Sequence, residues 1–303
     1  MPKDITPHSQ PSQTGIDAET DTPTAILSEE IISLVESYKA QALEYKNFEE
    51  QLQAYFLELF SNQNVELQLE SRTKSAESVQ EKILRQDKHY LDPLKEITDF
   101  VGIRLICYYL EDIDRVGDIL RKAFYIDWKN SIDRRSLFLD PDRFGYQSVH
   151  FVVSLQPEML SDPKWKPFEN MRAEVQVRTV LQHAWAAIEH RLQYKADKGI
   201  PRSIKRQFYR LSALLELADE EFMAIRTQTH RLRQQHQEDI LTGNLSIEID
   251  RYSLTEYLKT GKIIEHWVQA TRKIGYRVSL QTDYYSSMAT TRLLEFLSNA
   301  NIS

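Results

Sequence analysis

With 303 residues, 41% of them hydrophobic, the chain can bury one good core, or one core and a smaller second unit. Its formal charge of −7 argues against a protein that coats nucleic acid along its whole surface, and its single cysteine, Cys107, excludes an internal disulfide framework or a multi-cysteine zinc module. No run approaches the roughly 20 apolar residues of a membrane span and no signal-peptide pattern opens the chain, so a soluble cytoplasmic protein is expected.

Residues 1–24 are rich in Pro, Ser, Thr, Gln and Asp and are expected to form a disordered tail. Over 25–62, Leu34, Tyr38, Tyr45, Leu52, Tyr55, Phe56 and Leu59 recur at helical spacing, which predicts one long amphipathic helix. Alternation from Val65 to Leu69 predicts a strand, and a helix over about 75–85 turns Val79, Ile83 and Leu84 inward. The apolar run 100–110 predicts a buried strand, in which Cys107 is a small hydrophobe. Asp112 then reads as the N-cap of a helix reaching Phe124.

Residues 127–144 are polar, contain Pro141 and show no apolar period, so a loop is expected there. Strands are predicted over 146–155 and 171–179, with a proline-containing connection between them. A helix follows over 179–195, and Pro201 opens another that runs to about Gln237. Ser253 and Glu256 form a capping-box pattern before a helix to about Lys273, and a further helix begins near Arg292. The order of elements predicts an α+β fold: a mixed β-sheet flanked by helices over 25–237, with a small helical extension of unknown role over 238–303.

Glycine is scarce, at eight residues, and neither G-x-x-x-x-G-K-[ST] nor G-x-G-x-x-G occurs. A nucleotide would therefore have to be held by side chains and metal rather than by a glycine nest. Three segments carry charge where structure alone does not need it. Ser71-Arg72-Thr73-Lys74 with Lys82 places three cations near a strand-to-helix junction, where they can converge on a polyphosphate or remain simply exposed. Asp99 stands at the mouth of a strand that Arg104 interrupts, as a cleft-facing group or as half of a structural ion pair.

In the third segment, alternation sets Glu174, Gln176 and Arg178 on one face, about 7 Å apart in succession. Asp99 and Glu174 on neighbouring strands can hold Mg²⁺ between them, with phosphate oxygens completing its shell. Tyr146, Ser148 and His150 share another face. They offer an aromatic plate for a base, with an imidazole beside it, or else Tyr146 packs in the core. Cations, two carboxylates, a plate and a histidine together fit phosphoryl-type transfer.

Ser71-Arg72-Thr73-Lys74, Asp99-Phe-Val-Gly-Ile-Arg104, Gly145-Tyr146-Gln-Ser-Val-His150, Glu174-Val-Gln-Val-Arg178-Thr179 and the segment from Trp185 to Lys195 stand in one order over about 130 residues. This series resembles the synthetase domain of RelA/SpoT proteins, with its motif core over 65–195. The resemblance implies a nucleotidyltransferase-like fold and attack of a guanosine 3′-hydroxyl on the β-phosphate of ATP, giving (p)ppGpp and AMP. Arg72 and Arg104 would sandwich adenine, and Lys74 and Lys82 would hold the ATP phosphates. Asp99 and Glu174 would bind Mg²⁺, with Glu174 bound to metal or assisting deprotonation of the hydroxyl. Tyr146 would stack on guanine of GTP or GDP, with His150 near the acceptor's phosphates.

The chain departs from the family pattern before Gly145, where Asp142 occupies an expected lysine position; an acid there weakens the hold on a terminal phosphate unless Arg143 beside it compensates. That leaves the acceptor open between GTP, GDP, GMP and another molecule. Arg191, Lys195, Lys198, Arg202, Lys205, Arg206 and Arg210 fall within twenty residues holding one acid, Asp197. The run is either a solvated helix face or a surface for an RNA backbone. The second option fits toxic relatives that modify the 3′ end of tRNA. The long first helix could cover the sheet or pair with a second subunit, which leaves a homo-oligomer open.

Overall fold

The computed structural model describes residues 23–84, 90–133, 148–194, 201–244, 246–260 and 263–277, with a few positions between 291 and 299. The chain divides into two compact units. The first gathers the described residues of 1–105, 118–133 and 149–177, and the second those of 106–117, 134–148 and 178–303.

The first unit is built on helix α1 (Pro23–Ser61) and a sheet. Of the stripe anticipated from sequence, Tyr38, Tyr45, Leu52 and Phe56 are buried and Leu34, Tyr55 and Leu59 half-buried; Phe48, which was not anticipated, is almost wholly covered as well. Their rings find partners at contact distance, with Tyr38 and Tyr45 each 5.0 Å from Phe100 and Phe56 5.2 Å from Phe124. Each large apolar side chain covered this way contributes about 1.5–3 kcal/mol, which is what seats a helix of such length.

Among the described residues six strands form the sheet: β1 (Leu67–Thr73), β2 (Val101–Cys107), β3 (Tyr125–Ile126), β4 (Ile132–Asp133), β5 (Val149–Ser154) and β6 (Arg172–Thr179). Their order is β1-β2-β6-β5-β3, with β4 also pairing β5. This is the mixed sheet flanked by helices that the sequence predicts. In β2, Val101, Ile103 and Leu105 are fully buried while Gly102 and Arg104 occupy the other face. In β6, Ala173, Val175 and Val177 are buried and Glu174 and Gln176 alternate with them. Antiparallel register sets Gln176 opposite His150 and Glu174 opposite Val152. Helix α2 (Ala76–Ile83) is capped by Ser75, whose Oγ accepts from the Ser78 N–H at 3.2 Å, and the single turn α3 (Pro93–Glu96) leads towards Asp99.

Several boundaries differ from expectation. β1 continues through Thr73, so the Ser71–Lys74 motif lies on the strand and at its end rather than after it. Alternating polar residues hid this extension. β4 lies inside the stretch 127–144 expected to be loop and β3 in the unassigned step just before it, because two-residue strands leave no readable period. Helix α4 (Leu110–Ala123) starts ahead of Asp112. That carboxylate is therefore no N-cap; it is buried in the first turn and accepts from Arg226 Nη1 at 2.9 Å.

In the second unit, α5 (Val180–Tyr194) and α6 (Arg202–Thr242) meet edge-on through Trp185 and Phe208, and Thr179 Oγ1 donates to the buried Asp219 at 2.7 Å. α6 runs past Gln237 to Gly243, whose φ of +80° supplies the left-handed C-terminal residue that ends the helix. Where one helix is expected up to about Lys273, the described residues of the extension form α7 (Arg251–Thr260) and α8 (Ile263–Lys273). The capping exchange is also displaced: Asp250 Oδ1 accepts from the Ser253 N–H while Ser253 Oγ accepts from the Asp250 N–H. The expected tail, up to residue 22, lies outside the described residues, whereas Arg292, Leu293, Glu295 and Phe296 of the helix expected near Arg292 are described and helical. Among the described residues, no helix is long and apolar enough to cross a membrane.

Candidate active site

The free face of β1, β2 and β6 forms a cleft of about 380 Å³ within the first unit. Arg72, Asp99, Gly102, Arg104, Glu174 and Gln176 line it, together with Glu70 and Gln53. Alternation explains the membership. Residues 70 and 72 of β1, 102 and 104 of β2, and 174 and 176 of β6 all point away from the core on their respective strands.

At one end Asp99 accepts from two lysines at once, Lys74 Nζ at 2.6 Å and Lys82 Nζ at 2.7 Å. Lys74 arrives from the end of β1 and Lys82 from the last turn of α2, so strand and helix close on one carboxylate. Burial pushes the Asp99 carboxyl up, but the bonds from Lys74 and Lys82 outweigh it and hold it below its ordinary value. Burial lowers Lys74, assisted by the nearby charges of Lys82 and Arg72, although Asp99 pulls the other way.

Farther along, Glu174 Oε1 lies 3.1 Å from His150 Nδ1 and accepts from Gln176 Nε2 at 2.7 Å. Burial pushes this carboxyl up as well. The bond and charge of His150, the Gln176 bond and the field of Lys82 prevail and bring it down to about 2. Both carboxylates are therefore ionised throughout the neutral range.

Arg104 Nη1 donates to Glu70 Oε2 at 3.1 Å, which orients its guanidinium at the rim. Gly102 sits beneath Arg72, whose Cγ lies 3.8 Å from where a Cβ would stand, an ordinary contact distance, so the guanidine stem lies across β2 at this position.

Of the residues singled out from sequence, Arg72, Lys74, Lys82, Asp99, Arg104, Glu174 and His150 gather in or beside this cleft. Tyr146 and Arg143 lie outside the described residues. Glu70 and Gln53 were missed. Glu70 was legible as the residue two before Arg72 on the same strand face, whereas Gln53 comes from α1, far away in sequence. Among the described residues no cluster of three or more His, Cys, Asp or Glu could hold a metal by itself. Two cleft carboxylates are nonetheless a fitting donor set for Mg²⁺, which commonly takes one or two protein oxygens and completes its shell from substrate phosphate and water.

Two carboxylates set among four basic side chains on an α+β sheet are the arrangement of a site that handles polyphosphates. The family described as a region found in RelA / SpoT proteins matches residues 71–199, the stretch that supplies most of the cleft. The chain is 32% identical over 157 residues to the GTP pyrophosphokinase YjbM of Bacillus subtilis, spanning 51% of this chain and 69% of that protein. To the GTP pyrophosphokinase YwaC of the same organism it is 24% identical over 206 residues, spanning 65% and 94%. The crystal structure of the small alarmone synthetase 1 from Bacillus subtilis superposes with a TM-score of 0.52 at 26% identity, covering 65% of this chain and 99% of that one. The same synthetase bound to its product pppGpp gives a TM-score of 0.52 at 26% identity over 64% and 98%. The chain belongs to the RelA/SpoT family.

Proposed function

We propose that the chain is an ATP-dependent pyrophosphotransferase of the cytoplasm that makes (p)ppGpp from ATP and GTP or GDP. The observation that carries this reading is the Lys74–Asp99–Lys82 triad beside Glu174 in a cleft whose rim holds Arg72 and Arg104. The names of its relatives support the guanosine acceptor, and no relative reported above bears on the tRNA alternative.

In the reaction the acceptor 3′-oxygen bonds to the β-phosphorus of ATP, the bridge to the α-phosphorus breaks, AMP leaves and the hydroxyl proton is released. Arg72 and Arg104 hold the adenine between guanidinium planes. Lys74 and Lys82 exchange part of their bonding with Asp99 for non-bridging phosphate oxygens as the nucleotide enters. Asp99 and Glu174 would hold Mg²⁺, which when bound neutralises charge on the transferring phosphates. A carboxyl held near 2 is a weak base, so Glu174 serves better as an ionised oxygen ligand and orienter of His150 than as the acceptor of the hydroxyl proton.

γ-Labelled ATP is expected to pass label to GDP or GTP, read by thin-layer chromatography. Label found only in tRNA would defeat the proposal. The basic side chains Arg191, Arg202, Lys205, Arg206 and Arg210 are exposed, as a solvated helix face requires. Tyr146→Ala is expected to raise the KM of the guanosine acceptor about 5- to 150-fold more than that of ATP, from the roughly 1–3 kcal/mol of one base–aromatic stack. Equal increases would remove Tyr146 from the acceptor site.

A further inference from the structure

Glu49 is a buried carboxylate that the cleft chemistry does not use. It lies on α1, 3% exposed, behind β1. Its Oε1 accepts from Ser71 Oγ at 2.8 Å, and its Oε2 accepts from Thr73 Oγ1 at 2.7 Å and from Lys46 Nζ at 3.0 Å. Burial pushes this carboxyl up, yet the bonds from Thr73, Ser71 and Lys46 hold it below its ordinary value. A charge is costly to take out of water unless its lone pairs are filled, and here β1 supplies two of the three donors.

Ser71 and Thr73 alternate with Arg72 along the strand. Tying them to α1 turns Arg72 to the opposite face, where it lines the cleft. The same helix also holds the next residue. The Tyr38 hydroxyl donates to the Lys74 carbonyl oxygen, and the Lys74 N–H donates to the Phe100 carbonyl oxygen at 2.8 Å. A one-residue slip of β1 would reverse its faces and turn Arg72 towards α1. Among the described residues β1 is the terminal strand of the sheet and pairs only with β2, so its pairing on that one side and the Lys74–Phe100 bond are the backbone constraints on such a slip.

We propose that Glu49 is a positioning residue for the nucleotide donor: by binding both hydroxyls it locks the register and facing of β1, and so the presentation of Arg72 and Lys74 to a polyphosphate. This rests on the reading that the cleft binds ATP. Backbone register is the quantity at stake, and misplacement of about 1 Å at a positioning group commonly costs on the order of a hundredfold in turnover.

The test uses the full chain, titrated with Mg²⁺ and α,β-methylene-ATP, and followed by amide hydrogen exchange. Glu49→Ala is expected to weaken the analogue's affinity by about tenfold or more, given the loss of charge-assisted bonds at both hydroxyls. It should raise the KM for ATP while leaving that for the acceptor unchanged, and speed exchange of the amides at 72–74. Thr73→Val, similar in shape without the hydroxyl, should move every reading the same way by less, and Thr73→Ser should restore them. If Glu49→Ala does not fold, Thr73→Val and Ser71→Ala decide the matter. Folded variants with wild-type affinity and wild-type exchange overturn the proposal, as does an equal rise in both KM values. If the wild-type chain itself fails to bind the analogue, the ATP reading falls instead, and exchange at 72–74 still reports on the lock.

Discussion

Glu174→Gln is expected to lower kcat by about 10²–10⁴-fold while leaving the fold intact, the range over which an essential charged group at a reaction centre usually acts. The replacement is isosteric, and its amide oxygen can still accept from His150, so geometry survives and charge does not. A second signature follows from linkage. Because the folded carboxyl lies near 2 and its ordinary value is 4.5, its contribution to stability is present above 4.5 and disappears as pH falls towards 2. At neutral pH that contribution is on the order of 3 kcal/mol. The stability gap between wild type and Glu174→Gln, measured by urea unfolding, should therefore narrow steadily between those pH values. Retained turnover in the variant would remove Glu174 from the chemistry, and a gap independent of pH would contradict the ionised, hydrogen-bonded carboxylate described above.

Asp99→Asn should affect activity and stability together. It leaves Lys74 and Lys82 facing one another with side chains only 13% and 15% exposed and no carboxylate between them. Removing one partner of a buried pair costs about 3–5 kcal/mol, and partial access of water here brings the expectation to about 2–3 kcal/mol. Transfer should fall below detection, since the same oxygens are a proposed Mg²⁺ ligand. Adding Lys82→Met to Asp99→Asn relieves one uncompensated charge and should recover part of the lost stability but none of the activity. Thermal unfolding and turnover on the same preparations decide this. An Asp99→Asn protein as stable as wild type would show that the triad is not a structural unit.

Much of this was legible before the fold was known. The helical stripe of α1, the apolar run of β2 interrupted by Arg104 and the alternation of β6 that sets Glu174 outward were readable from pattern, because core-facing neighbours dictate which way the polar residues point. What period could not show was decided by contacts between distant segments. β1 runs on through Thr73 because its hydroxyls meet Glu49, 22 and 24 residues earlier. Asp112 lies inside α4 rather than ahead of it because Arg226, 114 residues later, supplies its partner. The signal for Glu49 did exist. It falls on the buried stripe of α1, four residues after Tyr45 and three before Leu52, where a carboxylate without a partner would not be tolerated.

The scarcity of glycine noted at the outset has a consequence for conformational entropy. A phosphate-binding loop made of backbone is ordered by the chain itself, whereas a grip made of lysine and arginine must freeze long, rotamer-rich side chains. Each costs about 0.5–1.5 kcal/mol when immobilised at a binding site. Here Asp99 already holds Lys74 and Lys82, and Glu70 already holds Arg104. Much of that ordering is completed when the protein folds, and a nucleotide entering the cleft meets side chains with little freedom left to lose.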